Sequence, residues 1–243
     1  MLKIDLHTHT ISSGDAMNTV YEMIQTASQM GLELIALTDH GPKTPYGPSM
    51  SYFMTSLRLP RHLFGMDFML GCEANIIDGN GGIDIPERVA RRQDIVLAGL
   101  HRDVGWIANS DEEGLAAVLG AMKNPYVDVI SHPHEARWKL DMERLVKESY
   151  ERQVLLEVNL THLGFLADQS ASVRQVQRMI ELVKDYKWKL IVSSDAHVAT
   201  QIGDDSILDK TDLRRFLTED VMLNSSSENV RRFFEGKRGN TTT

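Results

Sequence analysis

Short apolar runs of strand length alternate with stretches of helical periodicity along nearly the whole chain. Runs near 2–7, 33–38, 67–74, 94–99, 127–131, 154–159 and 188–193 predict strands. Apolar spacings of three and four residues predict helices near 18–30, 86–92, 111–123, 141–151, 170–185 and 206–216, with a looser helical stretch near 49–64. Such regular alternation implies a parallel sheet with right-handed crossovers. About seven βα units at this length favour a closed barrel over an open doubly wound sheet. The segment from Asn75 to Asp84, with Gly79, Gly81 and Gly82, reads as a loop or hairpin. Residues 239–243 read as a disordered tail, which leaves 1–238 as a single domain with no internal repeat or linker.

Composition narrows the function. With 243 residues, 42% of them hydrophobic, the chain can bury a sizeable core. Its net charge of -8 argues against a large nucleic-acid surface, although a local basic patch could still hold a phosphate. The lone Cys72 has no partner for an internal disulfide, and no charged segment followed by an apolar leader opens the sequence, so a cytoplasmic protein is expected. Apolar runs such as 95–100 are far shorter than the roughly 20 residues that span a bilayer, so no membrane role is expected. No glycine-rich phosphate loop follows any predicted strand, which argues against a dinucleotide or NTP-binding fold.

Chemistry concentrates at the predicted strand ends. The first strand ends Asp5-Leu6-His7-Thr8-His9, and alternation puts His7 and His9 on one face, close enough to hold one metal. Alone, a His-x-His pair is a weak signal. The second strand, however, ends Thr38-Asp39-His40, the third Gly71-Cys72-Glu73, the fourth Gly99-Leu100-His101, the fifth Ser131-His132-Pro133 and the last Ser194-Asp195-Ala196-His197. These positions form the rim at which parallel barrels build their active sites. Imidazole nitrogens with carboxylate oxygens and no thiolate are the donor set of zinc, manganese and iron. His7, His9, Asp15, His40, Glu73, His101, His132, Asp195 and His197 are too many for one ion and fit two or three divalent metals.

These same pieces, H-T-H, T-D-H, E-A-N and S-D-A-H, together with G-L-H and S-H-P, resemble the PHP (polymerase and histidinol phosphatase) family over Met1 to about His197. The spacing is most similar to its YcdX-like branch of phosphatases. That resemblance implies a distorted (β/α)7, TIM-like barrel with a trinuclear metal site. Carried over, it places one metal on His7, His9 and Asp195, with Glu73 bridging to a second on His101 and His132. A third falls to His40 and His197. Where that branch has a histidine for this third metal, Ser13-Gly14-Asp15-Ala16 offers Asp15, whose hard, charged oxygen shifts preference toward manganese or iron and away from zinc.

The implied activity is hydrolysis of small phosphomonoesters by a metal-bridging hydroxide, with Glu73 and Asp195 central and no protein nucleophile. Arg102 is the first candidate for a bidentate phosphate contact and Arg137 the second. Asp5 and Asp39 are expected to orient histidines, His134 and His162 to be exposed loop residues near the rim, with protonation of a leaving group as the alternative, and His62 and Cys72 to be structural. The partner is thus a small phosphorylated substrate. Nucleic acid is not expected, because no basic groove with interleaved aromatics is present. Nothing in the chain sets an oligomeric state. A histidinol-phosphate substrate stays open. An amidohydrolase-type metal hydrolase is the rival class, but it expects an aspartate on the last strand without the paired histidine. A metal-binding barrel without activity fits poorly with so complete a ligand set.

Overall fold

The computed structural model describes residues 1–165 and 169–241. The strands are β1 (Ile4–Thr8), β2 (Leu34–Leu37), β3 (His62–Leu63), β4 (Met66–Asn75), β5 (Ile95–Gly99), β6 (Val129–Ile130), β7 (Leu155–Asn159) and β8 (Ile191–Ser193). All but β3 form one parallel sheet in the order β1-β2-β4-β5-β6-β7-β8. The seam between β8 and β1 closes just past the strands. There Asp195 N donates to His7 O (3.0 Å) and His9 N to Ala196 O (2.9 Å). The result is the distorted (β/α)7 barrel. Its interior is filled by Ile4, Leu6, Leu34, Ala36, Ile95, Leu97, Val129, Leu155 and Ile191.

The helices are α1 (Val20–Gln29), α2 (Met50–Thr55), α3 (Glu87–Ala90), α4 (Asp111–Ala121), α5 (Met142–Arg152), α6 (Leu160–Phe165), α7 (Gln169–Asp185), α8 (Ile207–Lys210) and α9 (Ser227–Thr241). α1 starts at a reciprocal cap in which Thr19 and Glu22 satisfy each other's backbone N–H, and it buries Met23, Ile24 and Ala27. α9 crosses the N-terminal end of the barrel, where Val230 and Phe234 pack with Ile4, Leu34 and Ile95. No helix among the described residues is long and apolar enough to cross a membrane.

Several expectations change. The helical stretch expected over 49–64 ends early: after α2 and one 3-10 turn, β3 pairs antiparallel with β4. The intervening Phe64 and Gly65 both have positive φ (50° and 81°), the backbone of a two-residue hairpin turn that no helix tolerates. The helix expected over 206–216 shortens to α8 and a separate 3-10 turn at Arg214–Phe216, because Asp212 turns left-handed at φ 56°. The 75–84 segment forms a short hairpin through the Ile76–Ile83 bridge. Of the expected tail, the backbone of 239–241 continues α9, and Thr242 and Thr243 lie outside the described residues.

Candidate metal centre

The first two histidines owe their shared orientation to an irregularity in β1. Pairing with β2 slips between Asp5 and Thr8. Ile4 and Leu6 face the barrel core, and strict alternation would then turn His7 outward. The bulge lets His7 follow Leu6 inward. His7 Nδ1 donates to Oε1 of Glu157 on β7 (2.8 Å), leaving Nε2 toward Glu73 and Asp195. His9 Nδ1 donates to Ser13 Oγ (3.0 Å), which donates to Asp39 Oδ1 (2.7 Å), so Asp39 orients His9 through a hydroxyl. His197 Nδ1 donates to the Asp195 carbonyl (3.0 Å). In each ring Nδ1 is occupied and Nε2 is free to ligate.

His132 and Asp195 share a backbone device. Each lies two residues past its strand and has positive φ, 34° and 57°. Non-glycine residues adopt this conformation at a cost that the surrounding contacts must hold. Glu157 Oε2 accepts from His132 N (2.8 Å), and His7 O accepts from Asp195 N (3.0 Å). Next to them, a side chain on Gly99 would meet Ser131 Oγ at 2.4 Å and the rings of His101 and His132 at 2.9 and 3.0 Å, so only glycine fits the end of β5.

Glu73 lies at the centre, 1% exposed. Its Oε1 is 3.1 Å from His101 Nε2 and 3.0 Å from His132 Nε2, and these two nitrogens are 3.1 Å apart. Its Oε2 is 2.9 Å from His40 Nδ1, 3.3 Å from His7 Nε2 and 3.6 Å from His9 Nε2. Asp195 Oδ1 is 3.0 Å from His9 Nε2 and 3.5 Å from His7 Nε2. Asp15 Oδ2 reaches His40 Nε2 at 3.4 Å and His197 Nε2 at 3.5 Å, with its side chain half exposed. The sequence-derived positions are thus brought together at one rim.

Divalent metals fit this arrangement. Zinc bonds of about 2.0–2.1 Å put neighbouring tetrahedral donors roughly 3.3 Å apart, close to the spacings seen. Asp195 Oδ1 and His40 Nδ1 are buried and make no hydrogen bond despite near neighbours, the condition of atoms that lack a cation between them. Without metal, the charges set one another. Burial and the adjacent His40 and His197 push His9 down to about 3. Burial also opposes charge on His40, but Asp15 and Glu73 outweigh it and raise it to about 10. Against their own burial, Glu73 and Asp195 are held well below the usual carboxylate range, chiefly by His7.

Some of the other expectations are corrected. Asp5 orients no histidine ring among the described residues; it accepts from Ser194 N and Oγ, from Gly203 N and from the His7 backbone, holding the loop that presents Asp195. His134 is buried and its Nε2 accepts from Asn159 N (2.9 Å). His162 stacks on His132, with ring centroids 4.3 Å apart, because α6 follows β7 at once and carries it back over the rim. Arg137 pairs with Glu135 at 2.8 Å. Arg102 is exposed beside His101, with no ion pair among the described residues. His62 is exposed and bonded to Asp67, and Cys72 is fully buried.

Glu157 escaped the sequence reading, as did Glu135, which lies with His132 and His162 in a further group of donor atoms within 4.8 Å of one another. The signal for Glu157 was present: a carboxylate inside the otherwise apolar run Leu155-Leu156-Glu157-Val158 needs buried partners.

Barrel and rim together define a metal-binding α/β barrel with its donors on successive strand ends. The PHP domain model matches residues 5–206, and the chain belongs to that family. A probable phosphatase of Clostridium novyi (strain NT) is 34% identical, with 96% of this chain and 95% of that one covered. A probable phosphatase of Caldanaerobacter subterraneus subsp. tengcongensis is 35% identical, covering 98% and 92%. Among solved structures, histidinol phosphate phosphatase of Lactococcus lactis, crystallised with zinc, L-histidinol and phosphate, has a similar fold. Its TM-score is 0.62 at 16% identity, over 90% of this chain and 94% of that one.

Proposed function

We propose that the chain is a cytoplasmic, metal-dependent phosphatase that hydrolyses small phosphomonoesters at a trinuclear centre. Family membership and close relatives named as probable phosphatases support a hydrolase of phosphate esters. The observation that carries the multinuclear reading is Glu73, whose two oxygens face different histidines: Oε1 meets His101 and His132, while Oε2 meets His7, His9 and His40. A carboxylate so placed suits a bridge between two cations.

His7, His9, Glu73 and Asp195 would hold the first ion, Glu73, His101 and His132 the second, and Asp15, His40 and His197 the third. Bound divalent ions supply Lewis acidity and an activated water for in-line attack on phosphorus. The chain's own residues do the rest. Glu157, Ser13 and the Asp195 carbonyl fix the ring orientations of His7, His9 and His197. Arg102, exposed beside His101 and without an ion pair among the described residues, is a cation suited to the non-bridging phosphoryl oxygens. The imidazole-rich donors suit zinc, and the hard oxygen of Asp15 favours manganese or iron in the third position.

The test is turnover of a phosphomonoester panel that includes sugar phosphates, a nucleoside monophosphate and histidinol phosphate, each with zinc, manganese or iron. Metal-dependent release of phosphate that falls at least tenfold in Arg102→Ala supports the reading. Hydrolysis of an amide or lactone panel with no phosphate release would move the chain to amidohydrolase-type chemistry.

A further inference from the structure

The end of the barrel opposite the metal centre carries a cavity. A cleft of about 470 Å³ opens beside α9, at the N-terminal ends of β2, β4 and β5. Leu34, Phe68, Met69 and Phe234 give it an apolar wall. That volume lies within the range of small-molecule sites, in which apolar surface surrounds a few polar groups.

Two independent features point to a ligand. Arg91 and Arg92 line the cleft, are exposed, and have no ion pair among the described residues. Arg61 and Arg231 on the same cleft are instead engaged by Asp94 and Asp67. A pair of free guanidiniums is notable in a chain of net charge -8. The second feature is Gln93, which lines the same cleft and is 2% exposed. Its Nε2 donates to the carbonyls of Phe53 and Val89 (both 3.4 Å), which fixes the amide orientation. Its Oε1 is left buried with no hydrogen-bond partner, a cost that a donor in the cleft would remove.

We infer that this cleft binds a small anion with a flat apolar body and an N–H donor, the chemistry of a purine nucleotide. Arg91 and Arg92 take the anionic group, as guanidinium forks take phosphate. The wall of Phe68, Met69 and Phe234 takes the ring, and Gln93 Oε1 accepts from its N–H. The site is at the opposite strand ends from His7 and Glu73, so its occupant is distinct from the hydrolysed ester.

Anilinonaphthalene sulfonate, a planar aromatic anion with an N–H, is the first probe, and AMP is the competitor. The full chain should bind one equivalent of dye saturably, and AMP should displace it. Affinity for both should fall at least tenfold in Arg91→Glu/Arg92→Glu and in the cleft-filling Met69→Trp. The control Arg152→Glu/Arg215→Glu, with the same change in charge, should bind as the parent does. Phosphatase turnover should stay within twofold in every one of these variants. Dye binding that is not saturable, that resists AMP, or that survives both cleft variants would overturn the assignment, whatever the chain hydrolyses.

Discussion

His7 donates through Nδ1 to Glu157 at 2.8 Å, and its Nε2 consequently faces Glu73 at 3.3 Å and Asp195 at 3.5 Å. The same Glu157 accepts from His132 N at 2.8 Å and from Asn159 Nδ2 at 3.1 Å. One buried carboxylate thus aligns a ring on β1 and a backbone turn after β6. Partners behind metal ligands commonly set affinity by 10–100-fold. Glu157→Gln should therefore keep the fold, seen by circular dichroism, and bind metal about 10–100-fold more weakly in competition with a chromogenic chelator. Unchanged affinity would remove Glu157 from the positioning role.

Asp39 should matter for stability. Burial pushes its carboxyl pKa up, and donors from Thr10 N, Thr10 Oγ1, Ser13 Oγ and Tyr52 OH offset that cost. Asp39→Ala strands these donors. At about 1–3 kcal/mol for a buried group left unpaired, a loss of about 3 kcal/mol is expected. For a chain of this size that lowers the melting temperature by roughly 6–12 °C. A shift under about 2 °C would show the network to be dispensable.

Metal-free protein should be most stable near neutral pH. His9 and His162 are held down, at about 3 and about 4, mainly by burial. The unfolded chain titrates these rings near 6.5 and takes up more protons as the pH falls, so stability is lost from about pH 6.5 toward 4. His40 is raised to about 10, so its contribution is complete below about 6.5 and is lost as the pH climbs toward 10. Melting temperatures of chelator-treated protein at pH 5, 6.5 and 9 should peak at the middle value. A steady rise from 5 to 9 would show that His40 does not carry its charge.

Asp15 offers a test of metal choice. It reaches His40 and His197 from a half-exposed loop. Asp15→His should raise zinc affinity at the weakest site by about tenfold or more relative to manganese, because imidazole is the softer donor. Calorimetric titrations of both proteins with both metals decide it. Identical preference would place Asp15 outside the ligand set.

Much of this arrangement was legible because strand ends are marked twice, by the close of an apolar run and by the polar residue that follows. His40, Glu73, His101 and Asp195 all carry that double mark. Glu157 carries only half of it, since it sits inside its strand, and its partners His7 and His132 are distant in sequence. The bulge that turns His7 inward is likewise a product of pairing with β2. The β3–β4 hairpin was hidden by an apolar segment that also suits a helix, and only the left-handed pair Phe64 and Gly65 decides between them. α9 has little apolar periodicity because, among its described side chains, Val230 and Phe234 are the ones buried against the barrel floor, with Phe233 packed beside them.

The central claim is that Glu73 joins two cations that do the chemistry. Elemental analysis of protein purified without added metal or chelator, run beside hydrolysis of a generic phosphomonoester, tests it most directly, with Glu73→Ala in parallel. The account predicts two to three equivalents of zinc, manganese or iron with metal-dependent turnover, and a joint loss of bound metal and turnover in Glu73→Ala. A single equivalent or none after reconstitution, or a Glu73→Ala protein that keeps its metals and its rate, would contradict it.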